Sequence, residues 1–370
     1  MIKKLVYAFL LSFLFTSASF VRAVTPLEEE KDKEKARTGL VVLPVIFSMP
    51  ETKLGGGVGG LFTHRPAASA PAARPSSLYF AAIYTQLKQF EIELKPEWYL
   101  RQDLYFISGD FIANKFPNKY WGMGNDVPEA GEENYTPRTL RVDLSFQRKI
   151  FLVQKVYLGV LYRFEHIKML KSDEGKTIAS GKAPGSPGGT TSGIGFIIDW
   201  DSRDNVFYPR TGNYFQVKFI FHEDFLGSNY DFNLLDVDLR KYVSVFPRGV
   251  LALQTVLQTY GGTAPFYKMP MLGGDATMRG YYKGRYRDRS LLALQAELRF
   301  PLWKRFSAVL FSGFGQVAPG LGRLRLDGFK YSIGLGLRFL VVPKEGANLR
   351  LDLAFGQGSS GFYFNANEAF

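Results

Sequence analysis

The residues best suited to acid–base or metal chemistry are few and scattered in this chain. The three histidines, His64, His166 and His222, lie in separate segments, and none has a second histidine at the short spacing of a metal site. The chain has no cysteine, which excludes a disulfide framework and a thiolate metal site. We therefore expect no bound metal and no cofactor.

Patterns for nucleophilic or phosphate chemistry are also missing. The sequence has no Gly-x-Ser-x-Gly elbow, and the acid pair Asp236 and Asp238 lies among many other ionic residues. The glycine run 55–60 is followed by no Gly-Lys-Ser/Thr and opens no helical pattern, so we interpret it as strand glycines that permit tight curvature. The sequence predicts that the protein is not an enzyme.

One arginine has neighbours that suit it to hold a structure in place. Arg279 is followed by Gly280 and Tyr281, and Glu297 lies in a later segment. A guanidinium stays protonated and offers a planar fork of donors, so Glu297 could accept it bidentately. Gly280 would let the backbone turn tightly, and Tyr281 would pack on a wall. Removing one partner of such a shielded pair would cost about 3–5 kcal/mol. The alternative is an ordinary exposed loop arginine.

The elements that would position these residues alternate with a period of two, which places successive side chains on opposite faces of a strand. In residues 90–98 one face is apolar and the other carries Glu91, Glu93, Lys95 and Glu97. The same alternation recurs at 140–147, 235–240, 294–300 and 349–353. A soluble sandwich also alternates, but the apolar face here is free of charge. A strand face in contact with lipid must lack charged side chains, because a Lys or Arg at the middle of the bilayer costs about 2–4 kcal/mol.

Sixteen segments predict strands, at 41–48, 55–63, 77–86, 89–99, 103–113, 138–149, 152–164, 191–201, 212–222, 229–244, 248–261, 288–300, 304–316, 329–341, 347–356 and 360–366. Long connections follow odd-numbered strands, at 114–137, 165–190, 262–287 and 317–328, and most connections after even-numbered strands are tight. The segments 64–76 and 202–211 break this rule. We predict an all-β fold, a transmembrane antiparallel β-barrel of about sixteen strands with both termini in the periplasm.

The N-terminus carries the features of an export signal. Lys3 and Lys4 precede an apolar run over 5–15, and a small-residue stretch ends at Ala23, so we predict a cleaved signal peptide over 1–23. The apolar run is too short for a membrane anchor, which needs about 20 residues. Residues 24–38 are almost wholly charged and predict a disordered tail, followed by a barrel domain over 39–370 in the outer membrane.

The composition agrees with a membrane barrel. Aromatic residues make up 15% of the chain, as aromatic girdles would require. The formal charge of +12 comes from basic residues that are dispersed along the chain, so we expect no nucleic acid. We instead expect contact with anionic head groups of outer-membrane lipids, including lipopolysaccharide. The enzymatic alternative is an outer-membrane esterase or protease.

Two segments resemble the BamA/TamA superfamily of outer-membrane assembly proteins, the bacterial surface antigen family. The first is similar to a turn between two central strands of the family, through Asp201, Arg203, Pro209 and Gly212. The second runs from the pair Gly273 and Gly274 to the tripeptide Arg279-Gly280-Tyr281, and it resembles the family's long sixth outer loop, which folds back into the lumen. The resemblance covers nearly all of the mature chain.

This resemblance implies a role for Arg279 and a difference from the relatives. In relatives the corresponding arginine holds the loop against acids of the barrel wall and is needed for activity. Gly313 stands where many relatives carry Asp, so we expect Glu297 to be the only anchor. Assembly members also carry periplasmic POTRA domains, for which residues 24–38 are too few. A separate POTRA-bearing or periplasmic partner would have to supply substrate capture.

The last strand suggests how the barrel itself is assembled. Phe370, after Phe362 and Phe364 in an alternating segment, resembles the terminal aromatic signal of client barrels. We therefore expect the chain to be a client of the outer-membrane assembly machinery, the alternative being a merely hydrophobic last strand. For function we predict a barrel-only BamA/TamA-like protein that assists insertion or translocation of protein or lipid. The alternative is a passive pore or a structural surface protein without assembly activity.

Overall fold

The computed structural model describes residues 37–49, 53–66, 74–150, 155–343 and 345–370. The predicted signal peptide and residues 24–36 of the predicted tail lie outside the described residues. Residues 37 and 38 already belong to the first strand. The predicted boundary between tail and barrel, at residue 39, stays a prediction.

The structure is built almost wholly of strands and short turns. The strands are β1 (Arg37–Met49), β2 (Lys53–Arg65), β3 (Ser76–Thr85), β4 (Phe90–Leu100), β5 (Tyr105–Lys115), β6 (Asn118–Tyr120), β7 (Glu133–Lys149), β8 (Val156–Ser172), β9 (Gly188–Asp201), β10 (Gly212–His222), β11 (Phe232–Phe246), β12 (Gly249–Gly262), β13 (Met271–Leu272), β14 (Tyr286–Arg287), β15 (Ser290–Trp303), β16 (Phe306–Ala318), β17 (Lys330–Val342), β18 (Ala347–Gly356) and β19 (Ser359–Ala366). Single 3-10 turns occur at Glu129–Gly131, Asp224–Leu226, Phe266–Lys268, Leu321–Arg323 and Leu326–Gly328. No helix among the described residues is long and apolar enough to cross a membrane.

Sixteen of these strands form one antiparallel wall, in which each strand pairs with the next along the chain. Of the three short strands, β6 pairs with β7, and β13 pairs with β14 in a separate hairpin. The described residues of β1 and β19 share no ladder. At the end of the wall that carries the C-terminus, Arg65 Nη2 on β2 lies 3.2 Å from Glu345 Oε2 after β17. The predicted sixteen-stranded antiparallel barrel is confirmed.

The end of the barrel that carries the C-terminus is called the inner end here, and the opposite end is the outer end. The largest boundary error lies at the outer end, where β7 and β8 extend beyond the predictions of 138–149 and 152–164. Pro137, which has no amide proton to donate, is accommodated there by a register shift between Thr136 and Pro137. At the inner end β5 starts late because Arg101, Gln102 and Asp103 form a tight turn with positive φ.

The two faces of the wall differ as the alternation predicts. The outward side chains Leu140, Leu144 and Phe146 of β7 are 41–49% exposed, which water would penalise and lipid would not. The inward side chains are ionic: Arg163 Nε lies 3.0 Å from Asp143 Oδ2. The polar core of this protein is therefore the barrel lumen.

Candidate functional site

The segment between β12 and β15, called the lumen loop (residues 263–289), leaves the outer end and folds back into the lumen. It contains one 3-10 turn and the β13–β14 hairpin. Its innermost side chains are at most 1% exposed: Leu272, Met278, Arg279 and Tyr281. The predicted lumen-folded sixth outer loop is confirmed.

Two cations attach the outer part of the lumen loop to its surroundings. Lys268 Nζ lies 2.6 Å from Glu165 Oε2 on β8, and both side chains are 8% exposed. The buried Arg287 guanidinium donates to the backbone carbonyls of Lys119 at 3.2 Å and Phe266 at 3.4 Å. Lys119 belongs to β6 and Glu165 to β8, and these two strands pair with opposite edges of β7. The loop is therefore held to two neighbouring parts of the wall.

Arg279 is the deepest cation of the lumen loop, and it contacts two carboxylates. Nη1 donates to Asp352 Oδ2 on β18 at 2.5 Å, and Nη2 donates to Glu297 Oε1 on β15. The guanidinium lies over the Phe311 ring of β16, 3.5 Å from its centroid. Arg279, Glu297 and Asp352 are at most 1% exposed. One side chain thus joins the loop to three wall strands through shielded ion pairs and a cation–π contact.

The expectation that Glu297 would be the only anchor is wrong, because Asp352 supplies a second carboxylate from the opposite side. Gly313 has a different use: a Cβ added there would lie 2.7 Å from Met278 Sδ. The Met278 side chain fills that space, and its amide donates to Gln295 Oε1 at 2.9 Å. The missing side chain on β16 therefore makes room for the residue next to Arg279.

The two carboxylates belong to a larger buried ionic network. Arg299 Nε donates to Glu297 Oε2 at 2.9 Å, and Arg338 Nη1 donates to Asp352 Oδ1 at 2.6 Å. Arg338 also donates through Nε to Glu368 Oε2 at 2.7 Å. Glu297 therefore pairs with two arginines, and Asp352 pairs with three, because Arg350 Nε also lies 3.7 Å from its Oδ2. Breaking one buried pair would leave its partners with an uncompensated charge.

Glycines on β17 make room for this network. A Cβ at Gly334 would lie 2.3 Å from Phe311 Cζ, and a Cβ at Gly336 would lie 2.0 Å from Asp352 Oδ1. The backbone φ of neither residue demands glycine. Their function here is to let a ring and a carboxylate lie directly against the wall.

Gly280 and Tyr281 attach the loop to the β18–β19 hairpin. The Gly280 amide donates to Tyr363 Oη at 2.9 Å. Tyr281 Oη donates to the Tyr331 carbonyl and accepts from the Gln357 amide, both at 2.8 Å. Gly280 has a φ of +107°, and an added Cβ would lie 2.9 Å from the backbone of Phe355 and Gly356. Burial raises the pKa of the Tyr281 phenol above its ordinary value, so the hydroxyl remains a donor.

Gly273 and Gly274 close the turn that presents Arg279. Both have positive φ, +106° and +109°, and the Gly274 amide donates to the Tyr281 carbonyl at 3.0 Å. A Cβ at Gly273 would lie 2.2 Å from the Tyr282 carbonyl oxygen. The glycine pair and the Arg-Gly-Tyr tripeptide, separate in sequence, are therefore two ends of one closed turn.

The second predicted motif forms the turn between β9 and β10 at the inner end. Arg203 donates to Asp201 Oδ1 at 3.0 Å and to Oδ2 at 2.7 Å, a bidentate pair. Gly212 has a φ of +106°, and an added Cβ would lie 2.4 Å from the Ser202 carbonyl oxygen. Pro209 is buried in the same turn. These residues are not part of the Arg279 cluster, and they have a local structural role.

Described residues from three parts of the chain make contacts inside the lumen at the inner end. Arg74, before β3, donates from Nη1 to Asp201 Oδ2 on β9 at 2.8 Å. Asn205 of the β9–β10 turn donates to the Glu345 carbonyl at 2.9 Å on the far side. The C-terminal Phe370 packs against Tyr242 of β11 and others. Two of these residues belong to the segments that broke the rule of tight inner connections: Arg74 lies at the described end of 64–76, and Asn205 lies in 202–211.

The terminal aromatics are not brought together. Phe362 and Phe364 lie on the outward face and are 55% and 41% exposed, whereas Phe370 is 4% exposed inside the lumen. The Phe370 carbonyl accepts a hydrogen bond from Arg299 Nη2 at 2.8 Å. Recognition of these residues by an assembly machinery stays a prediction. In the folded barrel Phe370 is covered, so such recognition would have to precede folding.

The histidines also stay apart. His222 is buried at the outer end of β10, where its ring stacks on Phe232 with centroids 4.0 Å apart. His166 Nδ1 lies 2.9 Å from Thr190 Oγ1. In the part of the chain that the structure describes, no three His, Cys, Asp or Glu residues are grouped so that they could hold a metal ion.

Comparison with known proteins gives a family and a fold. The Omp85 superfamily domain matches residues 94–370. A structure of BamA from Haemophilus ducreyi lacking POTRA domains 1–3 superposes with a TM-score of 0.55 at 12% identity, over 90% of this chain and 69% of that chain. CdiB from Acinetobacter baumannii superposes with a TM-score of 0.54 at 12% identity, over 90% of this chain and 60% of that chain. No curated protein sequence matches the chain.

Proposed function

Because the chain belongs to the Omp85 superfamily, we propose that this outer-membrane β-barrel assists insertion or translocation of a protein or lipid. We further propose that Arg279 locks the lumen loop in the position this activity needs. The observation that carries the proposal is the burial of Arg279 between Glu297 and Asp352. Buried charge is costly and rarely kept unless it is paired.

The lock would act on the last hairpin of the wall. Arg279 contacts β15, β16 and β18, and the neighbouring Gly280 donates to Tyr363 of β19. The described part of β19 has a ladder with β18 and none on its other side. A free strand edge offers backbone donors and acceptors to an extended segment of a client. A loop that fixes β18 and β19 would thus control the geometry of that edge.

A passive pore is the second candidate, and one observation favours it. The lumen beside β4 is lined with ionic side chains, and the Lys95 side chain is 44% exposed there. Contacts inside the lumen at the inner end, including the bond of Arg74 to Asp201, oppose free passage. We therefore expect the protein to show no steady large single-channel conductance in planar bilayers. A stable large conductance would favour the pore.

The test of the proposed activity is rescue of a deletion strain by Arg279→Ala. We expect the variant to fail to rescue, while Arg325→Ala, which removes a 75% exposed arginine, rescues fully. Both proteins must be present in the outer membrane at equal levels and show heat-modifiable migration on gels. Full rescue by Arg279→Ala would contradict the proposed role of the lock.

A further inference from the structure

A row of cations lies on the outward face at the outer end of β5, β7 and β8. Lys115 is directly opposite Arg138, and Arg138 is directly opposite Lys168. Arg138 and Lys168 share the face of the exposed Leu140, so the row points away from the lumen. Directly opposed residues of adjacent strands have Cβ atoms about 5 Å apart. The three charges are therefore concentrated on one small patch, called the basic row (Lys115, Arg138 and Lys168).

The basic row is unusual because no carboxylate of the described residues pairs with it. Like charges that are directly opposed destabilise a sheet. The Lys115 ammonium lies 3.5 Å from the Lys88 carbonyl, and the described residues supply no carboxylate to any of the three cations. On the other side of Lys115, the directly opposed residue is Phe90 on β4, and Phe90 is opposite Tyr84 on β3. Both are aromatic residues of the kind found at membrane interfaces. The missing anion is therefore expected at the level of the lipid head groups.

An apolar groove of about 860 Å³ opens on the same face, nearer the middle of the wall. Its lining includes Ile107, Leu144, Val160, Phe196, Phe221 and Phe225. The 3-10 turn after β10 forms one side of it, through Phe225, which is 75% exposed. The groove continues the outward face on which the basic row lies.

The spacing between the basic row and the groove matches a lipid. Leu144 is six residues from Arg138 along β7, a rise of about 20 Å. One leaflet of hydrocarbon is about 15 Å thick. The outward residues between them, Leu140 and Val142, are apolar. A molecule with anionic groups at one end and acyl chains of that length would contact both features.

We propose that this face binds a phosphorylated lipid of the outer leaflet. Its phosphate groups would be held by the basic row, and its acyl chains would extend to the groove. Phosphate oxygens accept several charge-assisted hydrogen bonds and neutralise the opposed cations. The site is distinct from the Arg279 lock and does not depend on the activity proposed above.

The proposal is tested by native mass spectrometry of the full chain with diphosphoryl lipid A, monophosphoryl lipid A or phosphatidylethanolamine. We expect the lipid to be retained in that order of decreasing affinity. An excess of inorganic phosphate should not displace lipid A, because phosphate has no acyl chain for the groove. Equal retention of the three lipids, or displacement by phosphate alone, would overturn the assignment.

The variant Lys115→Gln/Arg138→Gln/Lys168→Gln removes the basic row. Each cation near a membrane surface strengthens binding about fivefold, so we expect about a hundredfold loss of lipid A affinity. The matched control, Lys241→Gln/Lys304→Gln/Arg305→Gln, removes the same charge from exposed positions at the inner end and should bind like the wild type. Equal losses in the two variants would show a diffuse charge effect and refute the site.

Folding of each variant is checked by heat-modifiable migration. If the triple variant does not fold, Arg138→Gln alone should lower the affinity about fivefold. Wild-type binding by folded Arg138→Gln would also overturn the proposal.

Discussion

The two sides of the lumen carry similar ion pairs in opposite surroundings. On β4, Lys95 Nζ lies 2.6 Å from Glu93 Oε1, and the lysine side chain is 44% exposed. On the other side, Arg279 and Asp352 lie 2.5 Å apart and are at most 1% exposed. Water and salt screen the first pair and not the second. Burial, rather than distance, therefore indicates which of the many lumen ions hold the structure together.

The largest expected effect comes from removing the buried cation. Arg279→Ala leaves Glu297 and Asp352 without one of their partners, and we expect a loss of about 3–5 kcal/mol in the free energy of unfolding. Unfolding by denaturant in detergent, followed by tryptophan fluorescence, measures it. Arg325→Ala, whose pair with Asp327 is mostly exposed, is the control. Equal losses in the two variants would remove the contrast between buried and exposed pairs.

A smaller effect is expected from restoring the acid that many relatives carry. In Gly313→Asp the new side chain meets Met278 Sδ, and overpacking of this kind costs about 1–3 kcal/mol. In a double-mutant cycle with Met278→Ala, the loss of the double variant should be smaller than the sum of the two single losses, which the same unfolding assay detects. A stabilising effect of Gly313→Asp alone would show that the site lacks an acid, against the role given to Asp352.

A substitution at Gly280 tests whether close packing adds to the cost of backbone strain. Gly280→Ala combines a positive φ with a contact below 3.0 Å, so we expect a loss of about 1–3 kcal/mol. Gly358→Ala also has positive φ but no atom within 4 Å of the added Cβ. It should cost less in the same assay. If the two variants were equal, the packing of Gly280 against the β18–β19 hairpin would contribute nothing.

The smallest effect is expected on the exposed side. Lys95→Ala removes a screened pair, and we expect a change below about 1 kcal/mol that shrinks further at high salt. Unfolding at low and high salt checks both statements. A loss comparable to that of Arg279→Ala would mean that the β4 side of the lumen is also a structural centre.

Much of the wall could be predicted from the sequence, because lipid outside and ions inside impose a strict period of two. The predicted strands 212–222 and 347–356 agree with β10 and β18 at both ends. The hairpin of β7 and β8 was predicted too short, since a proline normally ends a ladder and Pro137 lies at a bulge instead. Short strands within loops, such as β13 and β14, have too few residues to show a period.

The candidate site could be predicted only in part. Arg279 was singled out from the resemblance to the family's loop motif and Glu297 from the chemistry of an arginine's partner, and the structure places the two in contact. Asp352 was missed as a partner, although it alternates with apolar residues in 349–353 and was therefore already expected on the inward face. The alternation shows which side chains point inward, but not which inward residues of different strands lie at the same height in the barrel. That height depends on the strand register and on how deep the loop reaches into the lumen. The inward path of Phe370 was missed for the same reason.

The most direct test of the lock uses the absence of cysteine from the chain. Met278, next to Arg279, is fully buried in the lumen, and Leu326 in an outer loop is 95% exposed. Met278→Cys should react slowly with a membrane-impermeant maleimide in the otherwise unchanged barrel, and Leu326→Cys should react rapidly.

The decisive comparison adds a second substitution to Met278→Cys. If Arg279 holds the lumen loop in place, Arg279→Ala should raise the labelling rate towards that of Leu326→Cys, and Lys95→Ala should leave it slow. Unchanged slow labelling in the Arg279→Ala background would contradict the account, because the loop would then stay in the lumen without its buried ion pairs.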